Sequence, residues 1–171
     1  MIEIVEVTSR QQYRAFFQFP FELYRNCAQW VPPIAKEEMD IFDPQKNAVF
    51  EHAMARLFLA KKKGKVVGRI AAMINWVEIE ELKKTKVRFG WYDTIDDLEV
   101  SQKLIEAVEA VAIAEGMTYI EGPMGFSNMD KAGLLIHGYE HMNTMITWYH
   151  YPYQKVHLEK LGLKKQSEWI E

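Results

Sequence analysis

The chain of 171 residues contains one cysteine, Cys27, so a disulfide within the chain is excluded. No base partner for Cys27 is identifiable, and a catalytic thiol is not expected. No apolar run approaches the ~20 residues that a membrane-spanning helix needs. The alternating start of the chain lacks the charged region and apolar core of a signal peptide. We therefore expect a soluble, cytoplasmic protein that does not bind a membrane.

A strong charge of either sign is also lacking, since the net charge is −3 at pH 7. Without a basic bias, nucleic acid is not an expected partner. The lysines of residues 61–65 lie where a hairpin turn is expected, and we interpret them as a solvated turn rather than a phosphate patch. The sequence shows no repeat, low-complexity tract or linker, and its length suits one domain over residues 1–171.

Hydrophobic periodicity predicts an α/β pattern with a mixed central sheet and flanking helices. We expect a first strand over residues 2–7, a helix that starts at Thr8 or Ser9 and ends before Pro20, and a hairpin over residues 53–75. Alternating residues predict late strands over 145–150 and 163–170, on either side of a helix over 153–161. The hairpin requires antiparallel strands, while the segment described next requires a parallel pair.

Residues 87–121 are the most informative part of the sequence. They predict a strand (87–92), an acidic turn (93–97), a long helix (98–115) and a second strand (117–121). Such a βαβ unit has parallel strands, and phosphate groups commonly bind where its helix begins. Here the helix start has no glycine and carries Asp96, Asp97 and Glu99. The βαβ architecture therefore suggests a cofactor site, whereas the three acidic residues argue against phosphate binding there.

Short segments along nearly the whole chain resemble the GNAT acyltransferase superfamily, and more narrowly a bacterial group that usually carries two such domains in tandem. Each segment alone is weak, and their order and spacing are more specific for the fold than for an activity. The matching segments are FPFELY (19–24), WVPP (30–33), FLA (58–60), VGRIAA (67–72), FGWY (89–92), EGP (121–123), GLL (133–135), YPY (151–153) and LEKLG (158–162).

The resemblance implies a GNAT-like fold in which the strand before the long helix diverges from the next strand. In that family the pantetheine arm of acyl-CoA, the co-substrate, pairs with the exposed strand backbone, here near Trp91, Tyr92 and Asp93. A loop of the pattern Arg/Gln-x-x-Gly-x-Gly/Ala binds the pyrophosphate. In this sequence the loop maps onto residues 96–101, with Ser101 as its last small residue.

The acidic turn departs from this pattern at the positions that would contact phosphate. Glycines there let the backbone approach the phosphate, whereas carboxylates bind the same N–H groups and repel the ligand. Two functions follow from the resemblance. The first is an N-acyltransferase that moves an acyl group from acyl-CoA to a small-molecule amine. The second is a non-catalytic GNAT-like binding module that has lost the pyrophosphate loop.

Three residues are candidates for catalysis if the chain is an enzyme. The resemblance places Tyr153, rather than Tyr151, where family members use a tyrosine to protonate the leaving thiolate, and a free tyrosine with a pKa near ~10 suits that role. Glu121 or His150 could act as the base, because burial can bring either pKa towards neutrality. The alternatives are that the tyrosines are core residues, that Glu121 forms a pair and that His150 is a partly buried polar residue.

Residues 137–141 match the H-x-x-E-H pattern of one zinc-peptidase class. That chemistry requires His137 and His141 on one helix face, and Gly138 weakens a helix there. We therefore predict no metal site.

The resembled group commonly continues into a second similar domain. This sequence is then expected to be half of a two-domain protein or a relative that forms a homodimer. Aromatic residues between 16 and 30 are candidates for that interface or for the core.

Overall fold

A five-stranded mixed sheet in the order β1-β2-β3-β4-β5 forms the centre of the fold. The structure is a computed structural model that describes residues 1–127, 129–144 and 147–170. The first four strands pair antiparallel, and β4 and β5 pair parallel. This confirms the predicted hairpin and βαβ unit. The strands are β1 (Ile2–Glu6), β2 (Ala53–Lys62), β3 (Lys65–Asn75), β4 (Lys86–Thr94) and β5 (Tyr119–Glu121).

Helices cover both faces of the sheet, which confirms the predicted α/β class. Helix α4 packs on one face together with α5, while α1 and α2 pack on the other. Helix α3 connects β3 to β4. The helices are α1 (Arg10–Leu23), α2 (Ala35–Ile41), α3 (Trp76–Leu82), α4 (Leu98–Ala114) and α5 (Pro152–Lys160), with a short 3-10 helix over Ala48–Glu51.

A β-bulge in β4 changes which side chains face α4. Strict alternation would put Phe89 and Tyr92 on opposite faces of the sheet. Both lie in the core beneath α4, because Trp91 between them has a φ of 47° and the pairing with β3 shifts there. The Trp91 ring packs into the opposite core instead. A bulge of this kind redirects side chains, and it does so here where β4 approaches α5.

Helix α1 continues through Pro20, whereas the sequence predicted that it ends there. A proline inside a helix removes the hydrogen bond to the carbonyl four residues earlier, which here is the carbonyl of Phe16. The Arg69 guanidinium on β3 donates to that carbonyl at 3.0 Å. A distant side chain therefore compensates for the lost bond, which local sequence rules cannot indicate.

Two predicted late strands do not form in the described residues. Residues 147–150 and 163–170 have no strand structure, and residues 145 and 146 of the first prediction lie outside the described part of the chain. An alternating pattern predicts a strand only if a partner edge is available. Here the Tyr153 and Gln154 side chains of α5 bind carbonyl groups on the edge of β4 that such a strand would need.

Most of the aromatic residues in and just after α1 belong to the core. Phe16, Phe17 and Phe19 of α1 and Tyr24 at its C-terminal cap are buried, while Phe21 and Trp30 are half-buried. Of the two roles considered for this segment, interface or core, the four buried residues have the core role.

Candidate functional site

Strands β4 and β5 pair over only three residues and then separate. Lys86, Val87 and Arg88 face Tyr119, Ile120 and Glu121, after which β5 ends. Beyond that point the chain after β5 still contacts β4, where the Met124 amide donates to the Phe89 carbonyl at 2.8 Å. The remaining half of β4 has no strand beside it on this edge in the described residues.

The start of α5 covers the separated half of β4. The Tyr153 hydroxyl donates to the Thr94 carbonyl at 2.7 Å, and the Gln154 side-chain amide donates to the Tyr92 carbonyl at 3.2 Å. Proline at the first helical position and the Gln154 side chain, which accepts from the Tyr151 amide at 2.7 Å, fix where α5 begins. Side chains thus bind carbonyl groups that a neighbouring strand would bind in a regular sheet.

The buried carboxylate of Asp93 lies on β4 between the two residues whose carbonyl groups α5 binds. Asp93 accepts from Arg69 Nε at 2.7 Å and from the Tyr24 hydroxyl at 2.7 Å. The Tyr24 hydroxyl also lies 3.2 Å from the Gln154 side-chain oxygen. Burial, and then the charge of Asp93, hold the pKa of Tyr24 well above its ordinary value. Tyr24 therefore keeps its proton and acts as a hydrogen-bond donor.

A second network links β4, α4 and α5 through Ser101, which is fully buried. Its hydroxyl accepts from the Tyr92 hydroxyl at 2.8 Å and lies 2.8 Å from His157 Nδ1 and 3.4 Å from Thr94 Oγ1. The other ring nitrogen of His157 is 3.2 Å from the exposed carboxylate of Asp96. The network therefore connects buried hydroxyls with a carboxylate at the surface.

Asp97 occupies the helix start that the family pattern would reserve for pyrophosphate. Its Oδ1 accepts from the Glu99 amide at 3.1 Å, while Lys62 donates to its Oδ2 at 2.7 Å. The Lys62 hydrogen bond lowers the pKa of Asp97 and is also the main cause of a raised pKa at Lys62. A carboxylate capping the helix leaves less positive potential for a phosphate. These residues do not fit a diphosphate at the α4 amides.

The structure brings four of the predicted site residues close to the start of α5. Asp93 and Tyr92 are joined to α5 by the bonds described above, Ser101 reaches it through His157, and Tyr153 lies on α5 itself. The rings of Tyr153 and His157 are 5.4 Å apart.

The other three predicted residues are arranged differently. Glu121 pairs with Lys86 and faces Arg88, which is six residues from Thr94 along β4, or roughly 20 Å. His150 is buried, its Nδ1 accepts from the Leu135 amide at 3.4 Å, and burial lowers its pKa to about 4. The Trp91 ring lies on the opposite face, where its Nε1 donates to Glu38 at 2.6 Å.

Sequence reasoning missed four polar residues of these networks. A Gln three residues after a helix start is a capping signal that could have indicated Gln154. Tyr24 and Arg69 lie in segments that match the family and His157 does not, but for none of the three does the sequence indicate the partner it meets through the fold. The missed residues are Tyr24, Arg69, Gln154 and His157.

The zinc-peptidase pattern has no helix to support it. Residues 137–141 form a turn in which Gly138 has a φ of 76°. Within residues 1–127, 129–144 and 147–170, no cluster of three or more His, Cys, Asp or Glu side chains could hold a metal ion. In the same ranges, no helix has both the length and the apolar character needed to cross a bilayer.

Comparison of sequences identifies two long relatives. The chain is 32% identical over 157 residues to protein YghO of Escherichia coli. The alignment covers 92% of this chain and 40% of that protein. It is 27% identical over 168 residues to the bacterial ceramide synthase of Caulobacter vibrioides. This alignment covers 98% of this chain and 44% of that protein. The chain thus spans about two fifths of the length of the curated relatives it matches. No protein-family model matches it.

Comparison of structures identifies the fold. A protein from Clostridium acetobutylicum, assigned as an acetyltransferase and solved with acetyl-CoA, aligns with a TM-score of 0.60 and 12% identity over 100% of this chain and 95% of that chain. A tandem GNAT protein from the clavulanic acid biosynthesis pathway aligns with a TM-score of 0.61 and 9% identity over 95% of this chain and 43% of that chain. Identities this low establish the fold alone. The chain therefore has the GNAT acyltransferase fold.

Proposed function

We propose that this chain is an N-acyltransferase that moves an acyl group from acyl-CoA to an amine. The observation that carries the proposal is the separation of β4 from β5 beside the start of α5, where the Tyr153 hydroxyl lies at the Thr94 carbonyl. On a GNAT fold, this edge is where a pantetheine arm is expected to pair with backbone. The backbone of Trp91, Tyr92 and Asp93 would hold that arm.

The reaction needs one proton donor and one proton acceptor. The amine nitrogen attacks the thioester carbonyl, a C–N bond forms, the C–S bond breaks, and the amine loses a proton. The departing thiolate gains a proton from Tyr153. Burial, followed by the charges around it, raises the pKa of Tyr153 above its ordinary value. The hydroxyl therefore stays protonated at neutral pH and is available as a donor.

The base of the proposed reaction is better sought near Tyr153 than at Glu121 or His150. Glu121 is held in an ion pair at the far end of β4, and burial makes His150 a weak base. His157 contacts the Tyr153 ring, and Asp96 lies against one of its ring nitrogens. A carboxylate at Nε2 favours the imidazole tautomer whose electron pair lies on Nδ1, and Nδ1 faces the Ser101 hydroxyl at 2.8 Å, so His157 would accept a proton through Ser101.

The likeness to the bacterial ceramide synthase suggests the kind of acceptor. Ceramides are amides of a fatty acid and a long-chain amino alcohol, so the relative's name describes formation of an amide bond from a lipid amine. We propose that this chain likewise uses a fatty acyl thioester and a long-chain amine. The alternative, a binding module without activity, is an outcome of the test below.

The test measures amide formation by mass spectrometry, with acyl-CoA donors of increasing chain length and a long-chain amino alcohol as acceptor. Tyr153→Phe should lower kcat at least a hundredfold, the lower limit for loss of a general acid, with little change in the Kd for CoA. Tyr139→Phe is the matched control, because the Tyr139 hydroxyl also donates to a backbone carbonyl, that of Leu135 at 2.9 Å. It should leave kcat unchanged.

Two results would contradict the proposal. Equal kcat for the Tyr153→Phe variant and the unchanged protein would remove Tyr153 from the reaction. Absence of any amide product across the acyl-CoA series, together with absence of calorimetric CoA binding, would favour the binding module.

A further inference from the structure

The end of the β2–β3 hairpin carries cations beside the start of α4. The hairpin turns at Lys63 and Gly64, whose φ values of 51° and 78° match the two-residue turn with both central residues left-handed. Lys62 on one side of the turn reaches Asp97 at the helix start. Among the residues that the structure describes, Lys61, Lys63 and Lys65 form no ion pair.

The faces of the hairpin separate these lysines into two groups. Lys62 lies two residues after Ala60, whose side chain is in the core beneath α4, so it continues the same face of β2. Lys65 pairs directly with Lys62, and directly opposed residues of an antiparallel pair share a face. Lys61 pairs with Val66, which packs in the opposite core. Lys62 and Lys65 thus lie on the α4 side and Lys61 does not.

The same end of the fold is where the GNAT architecture would bring the diphosphate of acyl-CoA. The Ile95 amide binds the Val67 carbonyl at 3.0 Å, so the hairpin end extends beyond the end of β4 next to the turn that precedes α4. The amides at that turn are capped by Asp97, and no glycine allows close approach. An acyl-CoA donor therefore needs another source of positive charge at this place.

We propose that Lys62 and Lys65, with Lys63 at the turn, bind the diphosphate of acyl-CoA in place of the α4 backbone amides, which replaces the interpretation of these lysines from sequence alone as a solvated turn. The inference rests on the proposed function and names the phosphate-binding residues of the same site. Ammonium groups bind phosphate as point charges without requiring a glycine-rich backbone. Asp97 has a positioning role, because its bond to Lys62 holds that ammonium group at the helix start.

The test compares the calorimetric binding of CoA, pantetheine and inorganic pyrophosphate. CoA should bind at least tenfold more tightly than pantetheine, which corresponds to about 1.4 kcal/mol. Lys65→Glu should weaken CoA binding at least tenfold and leave pantetheine binding unchanged, while Lys65→Arg retains CoA binding. Lys62→Ala should weaken CoA and pyrophosphate alike. Lys61→Glu is the matched control and should alter CoA binding less than twofold, since it makes the same charge change on the other face.

Each alternative result has a defined meaning. Equal affinities for CoA and pantetheine, an unchanged Lys65→Glu variant, or equal losses in Lys61→Glu and Lys65→Glu would overturn the inference. Amide formation from an acyl-pantetheine donor would then show that the proposed function stands without it. Conversely, CoA binding that depends on Lys65 but gives no amide would retain the inference and remove the proposed function.

Discussion

The two halves of strand β4 bury charged side chains in different ways. In the first half, Lys86 and Arg88 lie between β3 and β5 and pair with Glu78 and Glu121. In the second half, Asp93 has one charged partner, Arg69, and a hydroxyl partner, Tyr24. The first half is covered by backbone of β5, whereas side chains of α5 cover the second.

Because of this difference, the first half of β4 has a structural role, whereas the hydrogen bonds to the second half can be replaced by those of a ligand. A strand beside β4 gives up its hydrogen bonds only if the sheet opens. Tyr153 and Gln154 can release the Thr94 and Tyr92 carbonyls by rotating side chains, so a ligand can replace them at a lower cost. We therefore expect substitutions in the first half to change stability, and those in the second half to change stability less and activity more.

Arg88→Ala should have the largest effect on stability. The Arg88 side chain is 2% exposed, it pairs with Glu78, and it donates to the Gly125 carbonyl at 3.2 Å. Removing Arg88 leaves Glu78 with the longer pair to Lys86 at 3.6 Å, so the free energy of unfolding should fall by about 3 kcal/mol, the lower limit for breaking a buried pair, in urea denaturation. Arg56→Ala is the control, because its pair with Glu6 is about one third exposed and should cost less than about 1 kcal/mol.

The double variant Arg88→Met with Glu78→Leu sharpens this test. Replacing both charges by apolar side chains removes the carboxylate that Arg88 no longer pairs, and Met fills much of the space of the Arg88 stem, so most of the loss should be recovered. Equal losses in the single and double variants would mean that the carboxylate left behind by Arg88→Ala is not the cause of the loss.

His150 should give the second largest effect, seen as a dependence of stability on pH. Burial lowers its pKa to about 4 from an ordinary 6.5, so between these values the unfolded chain binds a proton that the folded protein excludes. The free energy of unfolding should therefore fall as pH drops from about 6.5 to 4, by about 3 kcal/mol at most. His150→Asn, whose amide oxygen can accept from the Leu135 amide, should flatten this slope in urea titrations at several pH values.

His141→Asn is the control for this measurement. The His141 side chain is 78% exposed, so it should leave the slope unchanged. A slope that persists in His150→Asn would assign the acid sensitivity to other groups.

The sequence predicts regular elements of this fold better than the contacts between them. The hairpin, α4 and the parallel pair follow from periodicity and turn residues, which are local. Continuation of α1 through Pro20 depends on Arg69, 53 residues from the carbonyl it binds. Residues 163–170 could form a strand only beside an unpaired edge of the sheet. Whether such an edge is available depends on the rest of the fold, so it cannot be predicted from this segment.

The candidate site shows the same limit. Tyr153, Asp93 and Ser101 could be proposed because the resemblance assigns roles to the end of β4 and to the starts of α4 and α5. Tyr24 lies in a matching segment, but its contact with Gln154 spans 130 residues and has no local signal. The side chains that hold the site together are therefore the ones the sequence leaves unassigned.

Tyr24→Phe should have a smaller effect, because it removes one hydrogen bond from Asp93 and leaves the Arg69 bond in place. A hydrogen bond to a buried charged group contributes about 2 kcal/mol, and we expect a loss of that size in urea denaturation. Tyr13→Phe is the control, since the Tyr13 hydroxyl donates to the neutral Met39 carbonyl and its loss should cost about 1 kcal/mol. Equal losses in the two variants would show that the charge of Asp93 adds nothing to the Tyr24 bond.

Asp96→Asn should have the smallest effect on stability and the clearest effect on activity. The Asp96 side chain is 70% exposed, so its pair with His157 should contribute less than about 1 kcal/mol. An amide in place of the carboxylate no longer favours a proton on the adjacent His157 nitrogen. If His157 is the base, kcat should fall, with KM little changed. Glu99→Gln, which also replaces a carboxylate by an amide, three residues away on the exposed start of α4, should leave kcat unchanged. An equal kcat in both variants would remove the Asp96–His157 pair from the reaction and leave it as a surface contact.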